Sequence, residues 1–374
     1  MQNTPLQTPI GQLWNSIQRW LFPMLEDELG ELDDKHQLFV SVCEMSALQS
    51  ELALYRWCGN GCPPHDRLAL FKAFIAKAVW NFATTRDLID AIRHRPTLRR
   101  LCGWESLCDV PSESTFSRAF HSFADNGCPQ KIHENIIANH YGAKIAGHIS
   151  RDATAIHARE KAQAKKPETM AATEKKSGKR GRPRKGATPP PPSPPTRMQM
   201  QLERNLKDNL ADLPNVCDWG CKKNSQGKTE SWRGYKLHLD VIDGDIPLSA
   251  ILTSASLHDS QVAIPLAQMS ASRVTNFYDL ADAAYDAKEI RQMSIKLGHV
   301  PIIDDNPGRG LKREFTPAEA VRYRERSAVE RANSHLHEEH GGRYVRVRGP
   351  VKVAAHLAFG LIVIASEQIL RMLS

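Results

Sequence analysis

No unbroken apolar run in this chain matches the length of a membrane span. The longest, LAFGLIVIA at 357–365, is about half of the ~20 residues a span requires and lies between His356 and Glu367. No secretory leader is expected either, since MQNTPLQTPIGQLWNSIQRW has no charged segment ahead of an apolar one. Cysteine is sparse, at eight in 374 residues, so reduced thiols and a cytoplasmic protein are expected. Net charge is absent outside one segment. Residues 159–185 hold eleven Lys/Arg against three Glu, which accounts for the whole +8 of the chain. Such a concentrated basic stretch suits a polyanion, most simply nucleic acid. Hydrophobic residues at 41% and charged residues at 25% exclude disordered, collagenous and coiled-coil classes, and the length suggests two or three domains.

The pattern along the chain divides near residue 145. Before it, LALFKAFIAKAVWNFA at 68–83 places Phe71, Phe74, Ile75, Ala78, Val79 and Phe82 at the spacing of a buried helix face. Further short helices are expected over 85–94, 96–103 and 110–127, where Ser112 or Ser114 caps and Gly127 stops the last. The result is an all-α N-terminal domain over 1–144, either a helix-turn-helix reader of DNA or a plain helical support. After it, strands are expected at 145–157 and 235–242, where Leu237, Leu239 and Val241 alternate with Lys236, His238 and Asp240. Between them, 159–215 reads as a basic, proline-rich insertion, solvated and mobile, with PPPPSPP at 189–195 as a stiff spacer. Strands at 247–256, 275–281 and 299–304 then alternate with helices at 258–271 and 286–297, which predicts a mixed α/β sheet flanked by helices. TPAE at 316–319 is a capping box opening a helix that can run to His340, and 351–373 reads as a buried core helix.

Three acids stand in telling places. Asp152 interrupts the first strand, where an unpaired charge is costly. Asp282 follows a strand's C-terminal end, and Glu330 lies in the capped helix. Hard divalent cations need several carboxylate oxygens converging from different elements. At ~100° per residue, Tyr323, Arg326, Glu330 and His337 fall within an arc of about 60° on one helix face. That stripe suits a site gripping a metal and a phosphate, or else a surface Arg326–Glu330 ion pair.

With these residues the chain resembles the DDE transposases of bacterial insertion sequences. The branch is the one marked Y-x2-R-x3-E-x6-K, commonly called family four, with family five its near relative. Here the pattern is Tyr323-x2-Arg326-x3-Glu330, with His337 where the branch has Lys. WRGYKLHLDVIDGDIPLSAILTSASLHDS at 232–260 and VPSESTFSRAF within the helical domain are similar to the same group. The resemblance implies an RNase H-like fold over 145–374 in which Asp152, Asp282 and Glu330 hold two Mg²⁺ or Mn²⁺ ions. It implies cleavage of transposon-end DNA and strand transfer, with Tyr323, Arg326, His337 and Lys236 on phosphate or DNA. It further implies a homodimer on DNA, associated with a bacterial nucleoid. A related nuclease without strand transfer, or a non-catalytic DNA-binding descendant, are the other readings. A neutral His337 grips phosphate less firmly than Lys, and Arg331 or Arg343 are candidates to compensate.

KRGRPRK at 179–185 resembles an AT-hook, which would lay Arg180 and Arg182 in an A·T minor groove; a generic basic linker is the alternative. Cys58-x3-Cys62 and Cys217-x3-Cys221 could share a zinc ion or be separate turns. His335, His337 and His340 are not expected to share a metal-binding face, and His258 and Asp259 are expected to cap a helix.

Overall fold

The computed structural model describes residues 9–59, 61, 63–142, 144–163, 194–223, 227–306, 308 and 313–373. Helices occupy the first part as expected. Arg67–Val79 is capped by Asp66, and Thr85–His94 by a Thr84/Asp87 capping box. Pro96–Cys102 stops at Gly103, while Glu113–Asp125 starts after Ser112. Phe82 lies beyond the end of its helix, and the helices Asp34–Met45 and Cys128–His140 add to those anticipated.

The strands are β1 (Ile145–Ala158), β2 (Asp218–Lys223), β3 (Thr229–Ile242), β4 (Ile246–Ser254), β5 (Thr275–Ala281), β6 (Val300–Ile303) and β7 (Tyr344–Val345). They form a seven-stranded mixed sheet around β1. One edge of β1 pairs antiparallel with β3, and β3 carries β2 along its first half and β4 along its second. The other edge pairs parallel with β5 over Ile145–Arg151 and with β7 at His157 and Ala158. β6 extends the sheet beyond β5. Gly234 sits where β3 is squeezed between β1 and β2. A Cβ there would meet the Ile156 carbonyl oxygen at 2.0 Å, and its φ of +155° suits glycine.

Both sheet faces are covered along β3. Leu237, Leu239 and Val241 face the helices Ser327–Glu339 and Pro350–Arg371 as expected. Of the alternate residues, Lys236 is partly exposed but His238 and Asp240 do not meet solvent. His238 and Asp240 are fully buried beneath the helix Ser260–Ala271. Burial is tolerated because each has a partner. Arg151 grips Asp240 through two bonds of 2.8 and 2.7 Å, Ser270 adds a third at 2.6 Å, and His238 bonds Thr253 at 2.9 Å.

The later part of the basic insertion is also packed, against its expected solvation. Helices Arg197–Glu203 and Leu206–Ala211 lie on Ser260–Ala271, with Gln201 and Asn209 fully buried. Gln201 donates to the Gln261 carbonyl at 2.9 Å and Asn209 to Gln268 Oε1 at 3.0 Å. A polar composition concealed these two buried amides. Residues 164–193, with the PPPPSPP run's first part and the AT-hook-like motif, lie outside the described residues.

The closing helix Pro350–Arg371 unites the two parts. It is long and apolar enough to cross a membrane, yet it is mostly buried within the protein. Phe359 packs against Phe71, Phe74 and Phe120 at ring separations of 4.8, 5.7 and 6.3 Å. One continuous core therefore joins the N-terminal helices to Ile149, Ile242 and Leu248 of the sheet.

Candidate active site

The parallel register sets the first two acids side by side. The β1–β5 ladder ends at Arg151↔Ala281 and the β5–β6 ladder at Ala281↔Ile303. The next residue on each strand is an aspartate, so Asp152, Asp282 and Asp304 follow neighbouring rungs on strands ~4.8 Å apart. Asp282 is fixed by accepting a 2.9 Å bond from the Ala284 amide, at the start of the short turn Ala283–Tyr285. Asp304 was not singled out by sequence, though it ends the predicted strand 299–304.

The third acid lies on a helix that crosses β1. Ser150, Asp152 and Thr154 share one face of the strand. Ser150 Oγ donates to the Glu325 carbonyl at 3.0 Å, Asn333 Nδ2 lies 3.5 Å from Asp152 Oδ2, and Thr154 Oγ1 is 3.1 Å from His337 Nε2. From Asp152 to Thr154 the strand advances ~6.7 Å and from Asn333 to His337 the helix advances ~6 Å, so the two stay in step there. Asn333 was missed because it is neutral, although it follows Glu330 by three on the same face. The expected single helix is in fact interrupted. Pro317–Tyr323 passes through a 3₁₀ turn at Arg324–Arg326 before Ser327–Glu339 begins. The turn packs on β1 and β5, where a tighter backbone brings Arg326 inward.

Glu330 is exposed and pairs with Arg326 at 2.5 Å, so the simple i, i+4 ion pair is present. Arg326 serves more than that pair, because its charge also acts on Asp152 and Asp282. Burial, then Asp282 beside it, pushes Asp152 up to about 7 against the Ala153 amide that favours its ionised form. Burial raises Asp282 as well, with Asp259 and Asp304 adding to it. Several carboxylates thus share one guanidinium that Glu330 already engages. Such an excess of negative charge, presented from two strands and a helix, fits a hard divalent cation.

The remaining predicted contacts are placed as follows. Tyr323 is half-buried against Phe315, and burial pushes its phenol up to about 12. Lys236 holds Asp259 at 2.8 Å and the Leu257 carbonyl at 2.9 Å. Asp259 therefore does not cap the helix it precedes. His258 does so instead, accepting from the Ser260 amide at 3.3 Å. His337 rests on Thr154, where burial, then Arg343, pushes it down to about 4. Of the candidate compensators, Arg331 forks onto Asp245 and Arg343 donates one bond to Glu338. Arg180 and Arg182 lie outside the described residues, as does Cys62. Cys217 is buried near the Glu160 carbonyl, and Cys58 and Cys221 are exposed.

The three histidines do not converge, since His337 rests on Thr154. His335 and His340 nevertheless approach each other, with rings 4.9 Å apart, and Glu367 joins them. The helix ends at Glu339 and His340 leaves it at φ −125°, so a regular angular step does not apply to it.

Two family models match the chain. The model described as "Transposase domain (DUF772)" covers residues 25–122, and "Transposase DDE domain" covers 209–365. The second span includes Asp282 and Glu330, while Asp152 lies between the two. No curated protein and no solved structure matches. The two matched spans, one over the helices and one over most of the sheet, indicate a DDE-type transposase.

Proposed function

We propose that the chain is the transposase of a bacterial insertion sequence, of the Y-x2-R-x3-E-x6-K branch, and that it cuts transposon-end DNA and transfers the strand into target DNA. The sheet is taken as RNase H-like, with β1 at the centre, β3 and β4 antiparallel on one side, β5 and β6 parallel on the other. The observation that carries the reading is the pair Asp152 and Asp282, set abreast by the β1–β5 register beside the helix bearing Glu330. By the resemblance these three would hold two Mg²⁺ or Mn²⁺ ions, which supply charge stabilisation to an in-line phosphoryl displacement when bound.

The chain's own groups do the positioning. The two aspartates are presented by adjacent strands and need no reordering. Glu330 reaches them by releasing Arg326, a rotation of an exposed side chain. Arg326, once released, offers two N–H groups to a phosphate beside the scissile bond. Tyr323 keeps its proton at neutral pH and can donate to the same phosphate. The basic stretch with Arg180 and Arg182 adds contacts along the DNA backbone or minor groove, and the helical part engages the transposon end. Joining two ends at once calls for a dimer on DNA, within the bacterial cytoplasm and nucleoid.

The test is cleavage of the element's own end DNA with Mg²⁺. Wild type should cut and join, whereas Asp152→Asn, Asp282→Asn and Glu330→Gln should each lose at least ~10³-fold, more than one lost charge-stabilising contact removes. Equal rates in all four proteins would reject the assignment. Cutting without joined product would instead leave a nuclease.

A further inference from the structure

The far end of the helix Ser327–Glu339 meets the closing helix and the helix Arg67–Val79 at a cluster that DNA cleavage does not use. His340 is 4% exposed, and its Nδ1 lies 3.0 Å from the Ala78 carbonyl oxygen. A carbonyl only accepts, so Nδ1 carries the proton and Nε2 keeps its lone pair. That Nε2 is buried without any hydrogen-bond partner. An imidazole whose second nitrogen is fixed by a backbone carbonyl is the usual arrangement of a metal-bound histidine.

The other groups complete the arrangement. Donor atoms of His335, His340 and Glu367 all lie within 4.8 Å of one another. His335 Nε2 is 3.4 Å from Glu367 Oε2 and 3.3 Å from Glu339 Oε2. Those separations exceed the ~2.7–2.9 Å of a charge-assisted hydrogen bond. They match the edge of a tetrahedron with ligand bonds of ~2.0–2.1 Å, which is about 3.3–3.4 Å. Glu367 Oε1 is held by Arg371 at 2.6 Å, which turns Oε2 toward the histidines.

We propose that His335, His340 and Glu367 bind one divalent transition-metal ion of the zinc class, with Glu339 or water as the fourth ligand. Two imidazoles select such an ion over Mg²⁺, which sets this site apart from the all-carboxylate row. The ion ties the closing helix to the helix that carries Glu330, with the N-terminal helical part braced behind through Ala78. This goes beyond the proposed reaction and does not depend on it.

The test uses Co²⁺ as a spectroscopic probe on the chelator-treated full-length chain carrying Asp152→Asn and Asp282→Asn, which removes the other acidic site. One Co²⁺ per chain should give the intense visible bands of tetrahedral coordination, and Zn²⁺ should displace it. His335→Gln or Glu367→Gln should weaken binding by at least ~100-fold, since even a group that merely orients a ligand is worth 10–100-fold. These two side chains are partly exposed, at 14% and 19%, so both variants should fold. Zn²⁺ should also raise the melting temperature of the chelated wild type. Absence of tetrahedral bands, or bands unchanged in either variant, would reduce the cluster to an ordinary ion pair and overturn the proposal.

Discussion

The helix Ser327–Glu339 has two unlike ends. At its start, Glu330 is exposed, Arg326 is shared between acids, and burial raises Asp152 far above a normal carboxylate. At its finish, Leu336 is fully buried, Asn81 donates to the Glu338 carbonyl at 2.9 Å, and His340 is anchored on Ala78. The first end gathers like charges that folding alone would disperse; the second is packed for stability. The difference teaches that one rigid element can be held at one end so that the other can present a charge-strained group. Strain of that kind persists where surrounding packing enforces it.

Three substitutions or conditions probe that division. Leu336→Ala should have the largest effect, lowering stability by about 2–5 kcal/mol through the cavity it leaves between the helix and Gly342 and Gly360. Urea unfolding measures it, and a loss under 1 kcal/mol would mean the docked end is not the anchor. Asn333→Ala, one turn after Glu330, should cut DNA cleavage by about 10–100-fold while moving the urea midpoint little, because it removes an orienting contact to Asp152. A stability loss matching that of Leu336→Ala would erase the distinction between the ends.

Acid should act more gently, and on the docked side. Burial, then nearby Arg273, pushes His133 down to about 3, and burial, then Lys77, does the same to His356. Both fold as neutral imidazoles whose pKa is below the unfolded value. Stability is therefore complete above ~6.5 and lost progressively as pH falls from there toward 3, with about 1–2 kcal/mol per histidine gone by pH 5. His133→Gln should flatten the urea midpoint between pH 7 and 5; an unchanged slope would place the acid sensitivity elsewhere.

Particular residues show what could be read early. The strand around Asp152, the strand ending before Asp282 and the capped start at Thr316 all announce themselves by local pattern, since alternation and capping are short-range. Asn333, Asp304 and the His335–His340–Glu367 cluster did not. Each draws its meaning from a neighbour distant in sequence, and neutral or isolated polar residues carry no periodic signal. The burial of His238 and Asp240 was hidden for the same reason, because a polar alternation looks alike whether water or a second helix covers it.

The amino-acid order by itself determined the helical first part, the strand and helix succession after residue 145, and three acids in suitable local settings. Those follow from backbone preference and the periods of apolar side chains, which act over a few residues. Only the tertiary structure decided that Asp152 and Asp282 stand abreast, that the charge of Arg326 acts on them as well as on Glu330, and that one closing helix serves both cores. Parallel strand register and helix docking are settled by long-range packing, where the energy of each contact depends on every other being made.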